Sequence, residues 1–179
     1  TEQEVTSLRQ QGCRADDWAN ISVKDGFNAG SVLNTDFSGK VSLGLFTGSL
    51  EIEKGLFRDS GICNCAIHQC EIGDHVYLSN VGHILNYSIE DHVIISNTGS
   101  VAVCGETAFG NGTEIEILSE TGGRELILYE HLSAQLAYML VFYRHDPVLI
   151  GKLKSMIHVA VNSKRSGTGR IGSHTTIRR

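Results

Sequence analysis

A chain of 179 residues, 41% hydrophobic and 20% charged, is long enough to bury a core of its own. Its formal net charge of −5 argues against a broad nucleic-acid surface. No apolar run approaches the ~20 residues of a membrane span, and the polar opening "TEQEVTSLRQ" has the character of neither a signal nor a transit peptide, so a cytoplasmic address without membrane or nucleic-acid partners is expected.

Residues 1–40 read as a lead-in. "EQEVTSLRQQG" predicts a short helix ended by Gly12, followed by a turn at "RADDW" and a Gly/Asn-rich stretch with short β-prone runs. Residues 41–128 are expected to form the body of the fold. Ile72, Leu78, Ile84, Ile89, Ile95 and Val101 follow one another at spacings of six or five, and Ile67 and Ile62 continue the series backward. Aliphatics at every sixth position are the hexapeptide signature of a parallel β-helix: four residues of strand and two of turn make one side, and three sides close a coil. "IGDHV" (72–76) and "IEDHV" (89–93) lie 17 residues apart, one complete coil. Ile72 should therefore stack on Ile89, Asp74 on Asp91 and His75 on His92, about 4.8 Å apart.

The five cysteines are an odd number without secretory context, which points to reduced thiols. "CNCAIHQC" offers Cys63, Cys65, His68 and Cys70 as zinc ligands. C-x-C is not the spacing of a zinc turn, and the hexad places Cys65, Cys70 and His75 on different sides of the coil. The cysteines are therefore expected to be structural, with no metal.

After "FGNG" and "EIEIL" the period changes. Leu132, Leu136, Met139 and Tyr143 fall on one helical face, Asp146-Pro147 breaks it, and Leu149, Leu153, Met156, Ile157 and Ala160 mark a second face. Residues 129–165 thus predict a helical hairpin inserted into the repeat. Residues 166–179 restart it: Ile171-Gly172 returns to the hexad, and the chain is expected to be the N-terminal portion of a longer protein. The closing stretch carries Lys164, Arg165, Arg170, Arg178 and Arg179 with no acid. Phosphate binding and a solvated edge are both readings of such a run.

The hexads resemble the left-handed β-helix superfamily, which supplies the left hand of the expected coil. "GCRADDW", "FGNG", "ETGGRE", "LSAQLAY" and "YRH" resemble a bacterial family of long hexapeptide-repeat proteins, some labelled UDP-N-acetylglucosamine pyrophosphorylase-related. The resemblance spans essentially the whole chain. It implies a cytoplasmic transferase acting on a sugar nucleotide by acyl or nucleotidyl transfer, with acyl-CoA or UTP as co-substrate of the full-length protein. It also implies a homo-oligomer, with a trimer favoured. No Gly-rich nucleotidyltransferase signature accompanies the label, and no cofactor is evident.

In that class a histidine acts as general base on a sugar hydroxyl or amine. His75 and His92, with Asp74 and Asp91 beside them, are the candidates, and His83 is a second choice. The competing reading makes both pairs outward turn residues of the repeat. A second cluster brings Asn111, Arg124, Arg144 and His145 forward as substrate-binding residues and Glu120 as a further base. Arg124 would grip a phosphate or carboxylate with two prongs. The competing reading is a Glu-Arg bridge at a glycine corner. Overall, a transferase portion and a non-catalytic scaffold or oligomerisation module are the two functions in view.

Overall fold

The computed structural model describes residues 1–117, 123 and 125–179. Two compact units emerge, one of Thr1–Cys104 with Thr168–Arg179, the other of Gly105–Gly167. The fold is mainly β, with two parallel sheets, an N-terminal helix and a later helical pair.

In the first unit, helix α1 (Glu2–Gln10) is capped by Thr1, whose side chain accepts from the Glu4 amide while Glu4 reaches back to the Thr1 backbone. The strands follow: β1 (Arg14–Ala15), β2 (Ile21–Val23), β3 (Val32–Ser38), β4 (Val41–Leu43), β5 (Ser49–Glu53), β6 (Leu56–Asp59), β7 (Gly61–His68), β8 (Glu71–Ile72), β9 (Tyr77–Leu85), β10 (Tyr87–Ile89) and β11 (Ile94–Ala102). The parallel order β1-β3-β7-β9-β11 makes most of one sheet, and β10-β8-β4-β2 most of the other. Three of these strands lie ahead of residue 41, so the parallel sheets take in most of the expected lead-in. β5 and β6 pair antiparallel as a side hairpin. That detour stretches the step between rungs from 17 residues to 30, as in Val32 beside Ile62, and hides the hexad from a count of spacings.

Within the sheets the register is that of the 17-residue coil. Ile72 pairs with Ile89 and Leu78 with Ile95. Val32, Ile62, Leu78 and Ile95 form one buried column and Phe37, Ile67 and Ile84 another, each side chain at most 2% exposed. Cys65 and Cys70 belong to this interior, as structural thiols do, and burial pushes the Cys65 thiol up to about 11. Iodoacetamide at neutral pH should therefore label exposed Cys104 first and leave Cys65 and Cys70 unmodified until the unit unfolds, as peptide mapping would show. Among the described residues no group of three or more His, Cys, Asp or Glu side chains gathers as a metal site.

The long strands bend at asparagines. Asn34, Asn64, Asn80 and Asn97 hold φ between 43° and 54°, a left-handed conformation asparagine tolerates better than most residues. Their amides form a ladder up the corner: Asn34 donates to Asn64 at 2.8 Å, Asn64 to Asn80 at 2.9 Å and Asn80 to Asn97 at 3.1 Å. A bend that would leave four polar side chains unpaired becomes a hydrogen-bonded column. Asn80→Ala should lose two of these bonds and keep the backbone demand, costing about 2 kcal/mol. Asn80→Gly loses the bonds but relieves the backbone, so its smaller cost in urea denaturation would separate the two effects.

The second unit contains β12 (Glu114–Glu116) and β13 (Glu125–Ile127), paired antiparallel, then α2 (Ala134–Phe142) and α3 (Pro147–Ser163). The repeat was expected to run to residue 128, yet the parallel sheets stop at Ala102 and the hairpin β12–β13 belongs with the helices. Asp146 caps α3 by accepting from the Leu149 amide at 2.9 Å, with Pro147 in the first turn, as the sequence predicts. The expected apolar faces are rotated, however. Leu136 and Leu140 are buried in α2, and Ile157 and Val161 in α3, around Leu126 and Ile127 of β13. Tyr143 and Met156, placed on those faces by spacing, are 42% and 49% exposed. The strand pair decides which stripe is covered, and helical spacing alone does not contain it.

After the second unit the chain rejoins the first. β14 (Gly169–Ile171) pairs with β10 and β15 (Thr176–Arg178) with β11, both parallel. The return expected at Ile171 is observed, with Ile171 beside Ile89.

Candidate functional site

The expected catalytic histidines stand at a second corner. His75, His92 and His174 have φ of 53°, 59° and 60°. Their rings stack, His75 to His92 at 5.0 Å between centroids and His92 to His174 at 4.9 Å. The 17-residue step foretold the first stack. The third member comes from the return segment, 82 residues after His92, where no spacing could reveal it.

The neighbouring carboxylates do not orient these rings. Asp74 Oδ1 accepts from the Leu45 amide at 2.8 Å and from Lys24 Nζ at 2.7 Å. Asp91 Oδ1 accepts from the Asp74 amide at 2.7 Å. Each acid therefore fastens its own turn to the turn of the preceding rung. Gly44 and Gly73 make room for this contact, since a Cβ on either would lie 2.4 or 2.5 Å from the stacked carboxylate. Glu90 continues the pattern upward, accepting from the Ser173 amide at 2.9 Å and pairing with Arg170. Of the imidazoles, His75 meets the Thr47 carbonyl through Nδ1 at 2.6 Å.

The Lys24 ammonium, followed by the Leu45 amide, holds the Asp74 carboxyl below the usual aspartate range. A lowered carboxyl stabilises the fold fully above the unfolded value and loses that contribution as pH falls through the folded one. Asp74→Asn should thus flatten part of the acid limb when urea stability is measured across roughly pH 3 to 7.

A second feature lies on the outer face of the six-stranded sheet, in a groove of about 760 Å³ crossing β1, β3, β7, β9 and β11. Adjacent strands are ~4.8 Å apart, so it runs about 19 Å along the stack. Asp36, Ser38, His68, His83, Ser100 and Cys104 line it. Ser38 Oγ and His68 Nδ1 share a hydrogen bond of 2.7 Å, and Arg14 approaches Asp36 at 3.7 Å. His83, the second-choice base, is here; His75 and His92 are not. Ser38 and His68 went unnoticed in the sequence because they are register partners across the 30-residue step that carries the β5–β6 detour.

In the second unit the expected substrate-binding residues separate. Asn111 is engaged in its own loop, Nδ2 donating to the Ala108 carbonyl and Oδ1 accepting from the Glu130 amide, both at 2.8 Å. His145 is exposed and stacks on Tyr143 at 5.7 Å. Arg144 turns instead into a pocket of about 460 Å³ with Glu125, Ile127, Leu140, Ile150 and Lys154. Glu120 and Arg124 lie outside the described residues.

A family model matches this chain from residue 1 to residue 179, and its description is "Domain of unknown function (DUF4954)". A curated relative from Treponema pallidum (strain Nichols), described as "Uncharacterized protein", is 24% identical over 193 aligned positions. The alignment covers 99% of this chain and 26% of the relative, so the chain spans about a quarter of that protein's length. None of the solved structures matches.

Proposed function

We propose that this chain, which belongs to the DUF4954 family, is a non-catalytic scaffold segment of a longer protein, a left-handed parallel β-helix carrying an inserted helical unit. The observation that carries this reading is the occupation of Asp74 and Asp91. Both carboxylates face the backbone amide of an adjacent turn, and neither hydrogen-bonds an imidazole. An Asp-His pair that activates a sugar hydroxyl requires the acid to orient the ring. Here the acids fasten rungs together and the rings stack as corner residues. The two parallel sheets and their 17-residue register agree with a coil of three sides, and the left hand comes from the resemblance. Assembly as a homo-oligomer, with a trimer as the form the resemblance implies, belongs to the same proposal.

A thermal-shift screen of the full-length protein against UDP-N-acetylglucosamine, UTP, acetyl-CoA and free CoA tests it. A ligand at ~100 times its dissociation constant adds about 2.7 kcal/mol of stability, an easily seen shift. The scaffold reading expects silence from all four. A second reading keeps the transferase on a sugar nucleotide but moves it to the sheet groove, where the Ser38–His68 hydrogen bond places a hydroxyl against an imidazole. It expects a shift with a nucleotide or CoA species that His68→Ala abolishes and His75→Ala leaves intact.

A further inference from the structure

We propose that the pocket of the inserted unit binds a small organic anion, a phosphate or carboxylate group carried on an apolar body. The proposal concerns Gly105–Gly167 alone and does not rest on the scaffold reading.

It starts from one unpaired atom. Arg144 Nε is buried and lacks a hydrogen-bond partner, and it is the one side-chain nitrogen or oxygen in that condition among the described residues. The rest of the guanidinium is only partly engaged. Nη2 donates to the Glu125 carbonyl at 3.1 Å, while Nη1 stands 3.9 Å from the Glu125 carboxylate, beyond hydrogen-bond reach. A buried, charged donor left without an acceptor is costly, and native structures rarely keep one without a ligand, ion or water to complete it.

The surroundings define the missing partner. Lys154 lines the same pocket and lies 4.0 Å from Glu114, its recorded ion-pair partner, which does not line it. The lining therefore holds two cations against one carboxylate. That carboxylate, Glu125, is held on its own loop, accepting from the Gly123 amide at 2.7 Å. Its own backbone amide and that of Gly123, with Arg144 and Lys154 nearby, keep it ionised and in place. The remaining walls are apolar: Ile127 and Leu140 are at most 3% exposed, with Pro147 and Ile150 beside them. A volume of about 460 Å³ matches a small organic molecule, and exceeds the needs of a bare inorganic ion. A guanidinium suits oxyanions because it offers a planar fork of donors that an ammonium cannot reproduce.

The test reads the atom itself. In ¹H–¹⁵N spectra of the intact chain, the Arg144 Nε–Hε resonance is followed while phenyl phosphate, benzoate or inorganic phosphate is added. A downfield movement saturating with phenyl phosphate or benzoate is expected, and the tighter of the two identifies the anionic group. Inorganic phosphate should bind more weakly than phenyl phosphate for want of an apolar body, and equal affinity would overturn that part of the proposal. Arg144→Lys keeps the charge, removes the Nε–H, and should weaken binding about tenfold or more. Lys154→Gln should weaken it a few-fold, and it decides the matter if Arg144→Lys fails to fold. An Nε–Hε resonance unmoved by all three probes, or wild-type affinity in a folded Arg144→Lys or Lys154→Gln, would overturn the site.

Discussion

Gly73→Ala should destabilise the parallel-sheet unit by about 3 kcal/mol, read as a fall in the urea midpoint at unchanged slope. The added Cβ would lie 2.5 Å from Asp91 Oδ1, 2.8 Å from the Glu90 carbonyl carbon and 2.9 Å from the Asp91 amide nitrogen. Two of these three atoms are backbone, so no side-chain rotation relieves the clash. The turn cannot retreat either, because the Gly73 amide donates to the Ile89 carbonyl at 2.8 Å. The contact most exposed to loss is the Asp91 carboxylate on the Asp74 amide, the contact on which the scaffold reading rests. Gly99→Ala is the internal control. Nothing lies within 4 Å of its Cβ, and its effect should stay within roughly 0.5 kcal/mol. Equal midpoints for the two variants would mean that the stacked turns do not hold the unit together.

The other large effect is expected at Ile89. Its side chain is 2% exposed, with Ile72 beside it on one rung and Ile171 on the next. Truncation to alanine removes contacts toward both neighbours and opens a cavity in a column that cannot close without breaking register. A loss of about 2–5 kcal/mol follows. Ile177→Ala, at the outer strand and only partly buried, should cost roughly 1 kcal/mol. Limited proteolysis adds a second readout. Ile171 anchors the return segment through Ile89, so cleavage after Arg170 should accelerate in Ile89→Ala before global unfolding does. If both variants lose the same stability, the column is not the core that its burial indicates.

The parallel interior was readable because each aliphatic at a six-residue interval has one destination, the inside of a coil. Once Ile72, Leu78 and Ile84 fixed the period, the stacking of His75 on His92 was a matter of counting. The asparagine corner was equally available, since Asn64, Asn80 and Asn97 recur at coil spacing, but hexad reasoning attends to aliphatics and passes over turns. Two boundaries were not readable for a different reason. "EIEIL" has the composition of a repeat strand, and only its antiparallel partner at Glu125–Ile127 assigns it to the inserted unit. Ser38 and His68 meet because an antiparallel hairpin is looped out between them, which spacing cannot show. The roles of Asp74 and Asp91 depended on side-chain direction. A sequence places an acid beside a histidine, whereas the pleat and the approach of the next rung decide which the acid touches.

The point of re-entry governs how this chain can fold. Gly169 pairs with Tyr87, in the position that one more 17-residue step would have given to Cys104. The sheets therefore resume on the very side where they were interrupted. Rungs from Gly61 to Ala102 can add in sequence, each closing a loop of about one coil. The last rung has to wait for 63 intervening residues, Gly105–Gly167, to be crossed. Loop-closure entropy grows only logarithmically, so the penalty in stability is small. The consequence is kinetic: the final strands should join in a late phase set by the search for their ends. Replacing the insert with a short glycine linker should merge that phase with the main one in stopped-flow refolding.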